Sequence, residues 1–264
     1  MCLIAFGWKP AAGLRLLVVG NRDEFHGRPS TPLAFWPDQP ALLAGRDSEA
    51  HGTWLGVSTR GRLAAVTNVR LPTPRASGLR SRGALAVDYL TGKAAPAEHL
   101  AALQTPLSGY GPCNLLLADV NGACYASSQP GIAVQALRLG LYGLSNATLD
   151  SPWPKTLRLK HAVAGWLAQG RYTDTAPLFA ALADTHTPSD SDLPDTGVGL
   201  VAERFVAPAF ILGREYGTRC STVIAIDDEG AGVIIERRFG PAGIALGETR
   251  IDFRWPLPLA DFQP

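Results

Sequence analysis

A cysteine stands at position 2, directly behind the initiator methionine. Initiator methionine is normally removed when the second residue is small, which would leave a thiol and a free α-amine on one residue. An α-amine titrates at about 7.7–8.0, so part of it is neutral at pH 7 and can accept the thiol proton. The nucleophile then carries its own base. The run Asn21-Arg22-Asp23-Glu24 follows an apolar stretch from Leu14 to Val19. If the chain reverses at 9–13, the end of that second strand returns beside Cys2. There an Asp can orient the amine and an Arg can lower the thiol pKa. Alternation puts Arg22 and Glu24 on one face, Asn21 and Asp23 on the other. An ordinary strand residue at position 2 and a solvated, salt-bridged strand end are the competing readings.

Other residues could complete such a site. Asn68 ends Val66-Thr67-Asn68, and Asn146 ends Leu144-Ser145-Asn146. A side-chain amide at such a strand end either forms a turn or holds an oxyanion, the latter worth about 3–4 kcal/mol in the transition state. Arg219, in Tyr216-Gly217-Thr218-Arg219, is a further candidate cation. Arg70, Arg75, Arg80 and Arg82 cluster on a loop entering a helix, where they either bind a phosphate or carboxylate or form a solvated basic loop. Arg70 and Arg82, with Asn21 and Glu24, are the candidate substrate-binding residues. His26 and His51 could pair with Cys2 but are as readily ordinary hydrogen-bonded histidines. Asp190, Asp192 and Asp195 lack the Gly and distal Glu of a calcium loop and read as solvated.

These residues need strands to carry them. Cys2 to Trp8 and Leu14 to Gly20 form a hairpin; residues 25–52, with four prolines and little periodicity, read as a long ordered loop. Thr53 to Ser58 and Arg62 to Asn68 form a second hairpin, and Asn114 to Asp119 and Ala123 to Ser128 a third around Asn121-Gly122. Helices are expected over Ser81 to Leu90, near 96–104, over Pro152 to Ala168 and near 175–183. In the third, Leu157, His161, Ala164 and Leu167 recur at helical spacing. Strands near 131–137 and 139–144 and over Thr222 to Asp227 and Gly232 to Arg238 complete the set; 187–195 is a surface loop. Strands first, helices in the middle and strands last suggest helices packed outside an antiparallel sandwich.

Composition narrows the function. The 264 residues, 46% hydrophobic with net charge +1, predict one domain over 1–264 and no field drawing the chain to nucleic acid. Cys2, Cys113, Cys124 and Cys220 form no CxxC pair, so neither a disulfide framework nor a zinc site is expected. No haem-attachment, nucleotide-binding or EF-hand motif occurs, so no cofactor and no metal is predicted. No signal core and no 18-residue apolar stretch is present, so a cytoplasmic protein without a membrane span is expected. The oligomeric state is not readable.

One ordered set of motifs goes further. The Met-Cys start, Asn21-Arg22-Asp23-Glu24, Gly45-Arg46-Asp47, Gly52-Thr53-Trp54-Leu55-Gly56, Thr67-Asn68-Val69-Arg70, Ser81-Arg82-Gly83, Gly143-Leu144-Ser145-Asn146, Pro152-Trp153-Pro154-Lys155, Tyr216-Gly217-Thr218-Arg219 and Glu236-Arg237-Arg238-Phe239 resemble the NRDE family. That family is also called the transport and Golgi organisation protein 2 family. The resemblance implies an α+β fold, the four-layer αββα sandwich of N-terminal-nucleophile hydrolases, with distant kinship to penicillin V acylases and bile salt hydrolases. By it, the catalytic positions would be Cys2, Arg22, Asp23, Asn68, Asn146 and Arg219. In those acylases two residues separate the Arg from the Asp. Here Arg22 and Asp23 are adjacent, so either a bulge re-aims one or the roles differ. The implied activity is cysteine amidohydrolysis of a non-peptide C–N bond in a small amide or acylated metabolite. The alternative is a haem, lipid or acyl-CoA binding and trafficking protein on a non-catalytic fold.

Overall fold

The computed structural model describes residues 2–72, 78–103, 106–128 and 134–258. Met1 and Arg75 therefore lie outside the described residues. The strands are β1 (Cys2–Ala11), β2 (Leu14–Phe25), β3 (Ser30–Trp36), β4 (Gln39–Asp47), β5 (Leu55–Ser58), β6 (Arg62–Asn68), β7 (Cys113–Asp119), β8 (Ala123–Ser127), β9 (Gln135–Ala136), β10 (Gly140–Leu144), β11 (Tyr216–Asp227), β12 (Ala231–Phe239) and β13 (Ala245–Arg254). The helices are α1 (Arg82–Thr91), α2 (Pro96–Leu103), α3 (Pro154–Gln169), α4 (Ala176–Leu182) and α5 (Leu200–Val206).

The strands form two antiparallel sheets. One runs β10-β1-β2-β11-β12-β13, the other β3-β4-β5-β6-β7-β8-β9. Alternation along β1 explains why it is apolar throughout: Ile4, Phe6 and Trp8 face the second sheet, while Leu3 and Ala5 face the helices outside. The inter-sheet core joins them with Leu16, Val18 and Ile224 to Leu43, Val57, Leu63 and Leu116 of the facing sheet. Helices α3 and α4 cover the first sheet through Leu159, Val163, Trp166, Leu178 and Phe179. Helices α1 and α2 cover the second through Leu85, Tyr89, Leu90 and Leu100. The layers are therefore helix, sheet, sheet, helix, as expected for this fold class.

Two expectations are corrected. Residues 25–52 are not a loop, since β3 and β4 pair across a turn at 37–38. Strand β3 lies at the sheet edge, where Pro32 disturbs no central ladder and most side chains are exposed, so no alternation marks it. Strand β13, at the other sheet's edge, packs Ile251 and Phe253 against the core between charged residues, and α5 has only seven residues; neither element was anticipated. In α3 the expected stripe lies on the wrong face. Leu157 is 51% exposed, and His161 and Ala164 face solvent, whereas Lys155, Thr156, Leu159, Val163 and Trp166 are buried. Two stripes share the helical period, and a buried lysine disguised the true one.

Candidate active site

The chemistry-bearing residues collect at one end of the sandwich because of strand register. Cys2 pairs with Arg22 across β1 and β2, and Cys220 pairs with Arg22 across β2 and β11. Cys2, Arg22, Glu24 and Cys220 have the parity of Ile4, Val18 and Ile224, so they face the second sheet. They open on a cavity of about 490 Å³ between the two sheets, a size suited to a small-molecule ligand. Facing them are Asp47, Trp54, Thr67, Asn68 and the start of α1, Ser81-Arg82-Gly83. That helix start comes so close because Gly52 and Gly83 touch backbone to backbone. A Cβ on Gly52 would lie 2.5 Å from the Gly83 carbonyl carbon.

Asp23 faces the other way, towards the helices, and is buried. Its carboxylate accepts a 2.7 Å hydrogen bond from the Thr218 hydroxyl. That contact depends on a bulge, which lies in β11 and not in β2. Thr218 pairs with Asp23 and Cys220 with Arg22, so Arg219 is the extra residue. The bulge lets Thr218 sit beneath the sheet while Cys220 two residues later sits above it. Arg22 and Asp23 thus keep their opposite directions. Burial pushes the Asp23 carboxyl up, opposed by the charge of Lys155 and by the Thr218 bond. Burial likewise pushes the Lys155 ammonium down to about 8, opposed by Asp23. Lys155 Nζ donates to the Val206 carbonyl at 2.9 Å.

The expected site residues divide. Cys2, Arg22, Asp23, Glu24, Asn68, Arg82 and Arg219 all line the cavity. Arg22 lies 3.6 Å from Glu24 and 3.5 Å from Asp47. Arg219 donates to the carbonyls of Phe25 and Arg28 and to the Ser30 hydroxyl, fastening the turn after β2. Asn146 is buried behind the wall, and its Nδ2 donates to both the carbonyl and Oδ1 of Asn68, at 2.9 and 3.0 Å. Both its amide hydrogens are therefore engaged. Asn68 accepts at Oδ1, and its own Nδ2 has no partner among the described residues. Ser145 Oγ donates to the Cys2 carbonyl at 3.0 Å, tying β10 to the nucleophile's backbone.

Two substrate-binding expectations are corrected by placement. Asn21 points into the helical layer, donating to the carbonyls of Leu182 and Ala209 and accepting from Ser221 Oγ. Arg70 is outside the cavity, ion-paired with buried Glu203 and stacked over Trp153. Arg80 stacks on Tyr110 away from the cavity. Neither His26 nor His51 lines it, so no Cys–His pair forms. Sequence reading missed Arg28, Asp47, Glu236 and Arg238, which do line it. Arg28 holds Asp47 through two bonds of 2.5 and 3.1 Å; burial would raise the Asp47 carboxyl, but these bonds outweigh it and hold it low. Glu236 reaches across to accept from the Leu33 amide at 2.9 Å. The Gly45-Arg46-Asp47 and Glu236-Arg237-Arg238-Phe239 motifs were the available signals. Among the described residues no cluster of metal-ligating side chains occurs.

The family model described as Transport and Golgi organisation 2 matches residues 1–241. The chain belongs to this family. It is 34% identical over 256 residues to the Transport and Golgi organization protein 2 homolog of Bos taurus, covering 90% of this chain and 92% of that protein. It is 33% identical over 269 residues to the human homolog, covering 95% and 97%. Among solved structures it is similar to a Caenorhabditis elegans N-acylethanolamine-hydrolyzing acid amidase ortholog. That match has a TM-score of 0.52 at 12% identity, covering 84% of this chain and 92% of the other. At that identity the likeness carries the fold alone, the N-terminal-nucleophile hydrolase sandwich. Among the described residues no helix of this family member is long and apolar enough to cross a membrane.

Proposed function

We propose that this protein is a cysteine amidohydrolase acting on a linear amide C–N bond of a small acylated metabolite, with Cys2 as the nucleophile. The observation that carries the reading is the placement of the Cys2 side chain beside Arg22 on the cavity face, with Asp23 under the same strand end. With Met1 removed, the α-amine of Cys2 takes the thiol proton as Sγ bonds to the substrate carbonyl carbon. The developing oxyanion is met by Asn68 Nδ2. The amine then passes its proton to the leaving nitrogen as the C–N bond breaks, leaving a thioester. Water, deprotonated by the same amine, attacks the thioester and restores the thiol. Asp23 orients the amine, and Arg22 favours the thiolate. Arg82 and Glu24 contact the substrate from opposite walls.

Binding without hydrolysis is the second reading, and two observations favour it. Burial pushes the Cys2 thiol up, and both amide hydrogens of Asn146 are committed to Asn68. On that reading the cavity carries haem, a lipid or an acyl-CoA. A panel of N-acyl amides, followed by mass spectrometry of the quenched protein, separates the two. Amidohydrolysis predicts amine release and an acyl adduct on Cys2, both abolished in Cys2→Ala. Turnover retained in Cys2→Ala contradicts the mechanism. Ligand bound intact by both proteins supports the carrier.

A further inference from the structure

One row of side chains runs across four neighbouring strands of the first sheet. Cys2 pairs with Arg22, Arg22 with Cys220, and Cys220 with Arg238. All four line the cavity. At the usual strand spacing, the backbones of Cys2 and Arg238 are about 14 Å apart.

The cations along this wall are unevenly neutralised. Arg28 is paired with Asp47 and Glu49, and Arg46 with Asp38. Arg22 has Glu24 and Asp47 within 3.6 Å. Among the described residues Arg238 has only Glu236, at 3.9 Å. That carboxyl is itself engaged by the Leu33 amide, and burial pushes its pKa up. Arg238 Nε is buried without a hydrogen-bond partner. That nitrogen faces Glu236, whereas Nη1 and Nη2 are not buried, make no hydrogen bond among the described residues, and can meet a ligand in the cavity.

We propose that Arg238 anchors a terminal oxyanion, a carboxylate or a phosphate monoester, on the ligand whose carbonyl lies at Cys2. The guanidinium fork matches either oxyanion in a bidentate pair. This rests on the reading of Cys2 as nucleophile only for which end of the ligand lies where. The backbone spacing requires a chain of several carbons between the reacting carbonyl and the anion. Ligands of this class are therefore acyl or amide compounds charged at the far end.

Two sets of probes test it. Iodoacetamido-hexanoic acid and its neutral hexanamide are compared as alkylating agents of Cys2, with the site mapped by mass spectrometry. The proposal predicts that the acid labels Cys2 roughly tenfold faster than the amide. That ratio falls towards one in Arg238→Gln and is partly kept in Arg238→Lys. The unreactive acetamido-hexanoate, acetamido-hexyl phosphate and acetamido-hexanamide are then titrated calorimetrically. The anions should bind more tightly than the amide to the natural chain, but not to Arg238→Gln. The tighter of the two anions identifies which oxyanion the site prefers. If Cys2 resists both alkylating agents while the calorimetric preference depends on Arg238, the nucleophile assignment fails and the anion site stands. Equal binding of anions and amide, or a preference surviving Arg238→Gln in folded protein, overturns the proposal.

Discussion

At the residue scale, the thiol of Cys2 is under opposing influences. Burial pushes it up and Asp23 and Glu24 reinforce that, while the charged amino terminus and Arg22 pull it down. Removing Arg22 takes away one of the two downward influences. In Arg22→Gln, the pH profile of Cys2 alkylation by iodoacetamide should therefore move to higher pH, with slower labelling at pH 7. A profile unchanged in the variant would remove Arg22 from any role in activating the thiol. Cys113 is a poor competitor, pushed up by burial to about 11.

At the scale of elements, register and bulge decide what each side chain can reach. The first hairpin and the polarity switch at Asn21 were readable in the sequence, because an apolar run ending in four polar residues is a local signal. The alternation of Arg22 and Glu24 against Asn21 and Asp23 was readable for the same reason. The bulge at Arg219 was not, since it depends on pairing with a strand almost two hundred positions away. Strand β3 escaped because its register with β4 shifts twice, which breaks the alternation, whereas in β13 Thr249, Ile251 and Phe253 do alternate with charged residues. For α3 the correction is directly testable. Trp166→Ala removes a side chain packed under the first sheet and should cost about 3–5 kcal/mol in denaturant unfolding. Leu157→Ala alters an exposed position and should stay within about 0.5 kcal/mol. Comparable losses from both would restore the sequence-derived face.

At the scale of the whole molecule, the charged layer beneath the site couples stability to pH. The unfolded chain holds the Lys155 proton up to about its ordinary 10.5, whereas the folded protein releases it near 8. Between those values the unfolded state binds more protons, so this lysine makes stability rise with pH. Below pH 8 the folded state bears the cost of a buried ammonium, at most on the order of 3 kcal/mol for such a shift. Relative to Lys155→Met, the natural chain should gain stability between pH 8 and 10.5, read from urea midpoints across that range. A constant difference between the two would mean that Lys155 titrates normally. The four-layer architecture was expected from the motif set and is matched by the structure. Which cations remain unneutralised was not readable, because that depends on side chains brought together from both sheets.

The proposed function stands on Cys2 being the amino-terminal nucleophile of the cavity. Intact mass of the purified protein, followed by limited alkylation and peptide mapping, tests it most directly. The expected result is a mass lacking Met1 and a first modification confined to Cys2. Soluble protein retaining Met1, with Cys2 unmodified while another cysteine reacts, would contradict it.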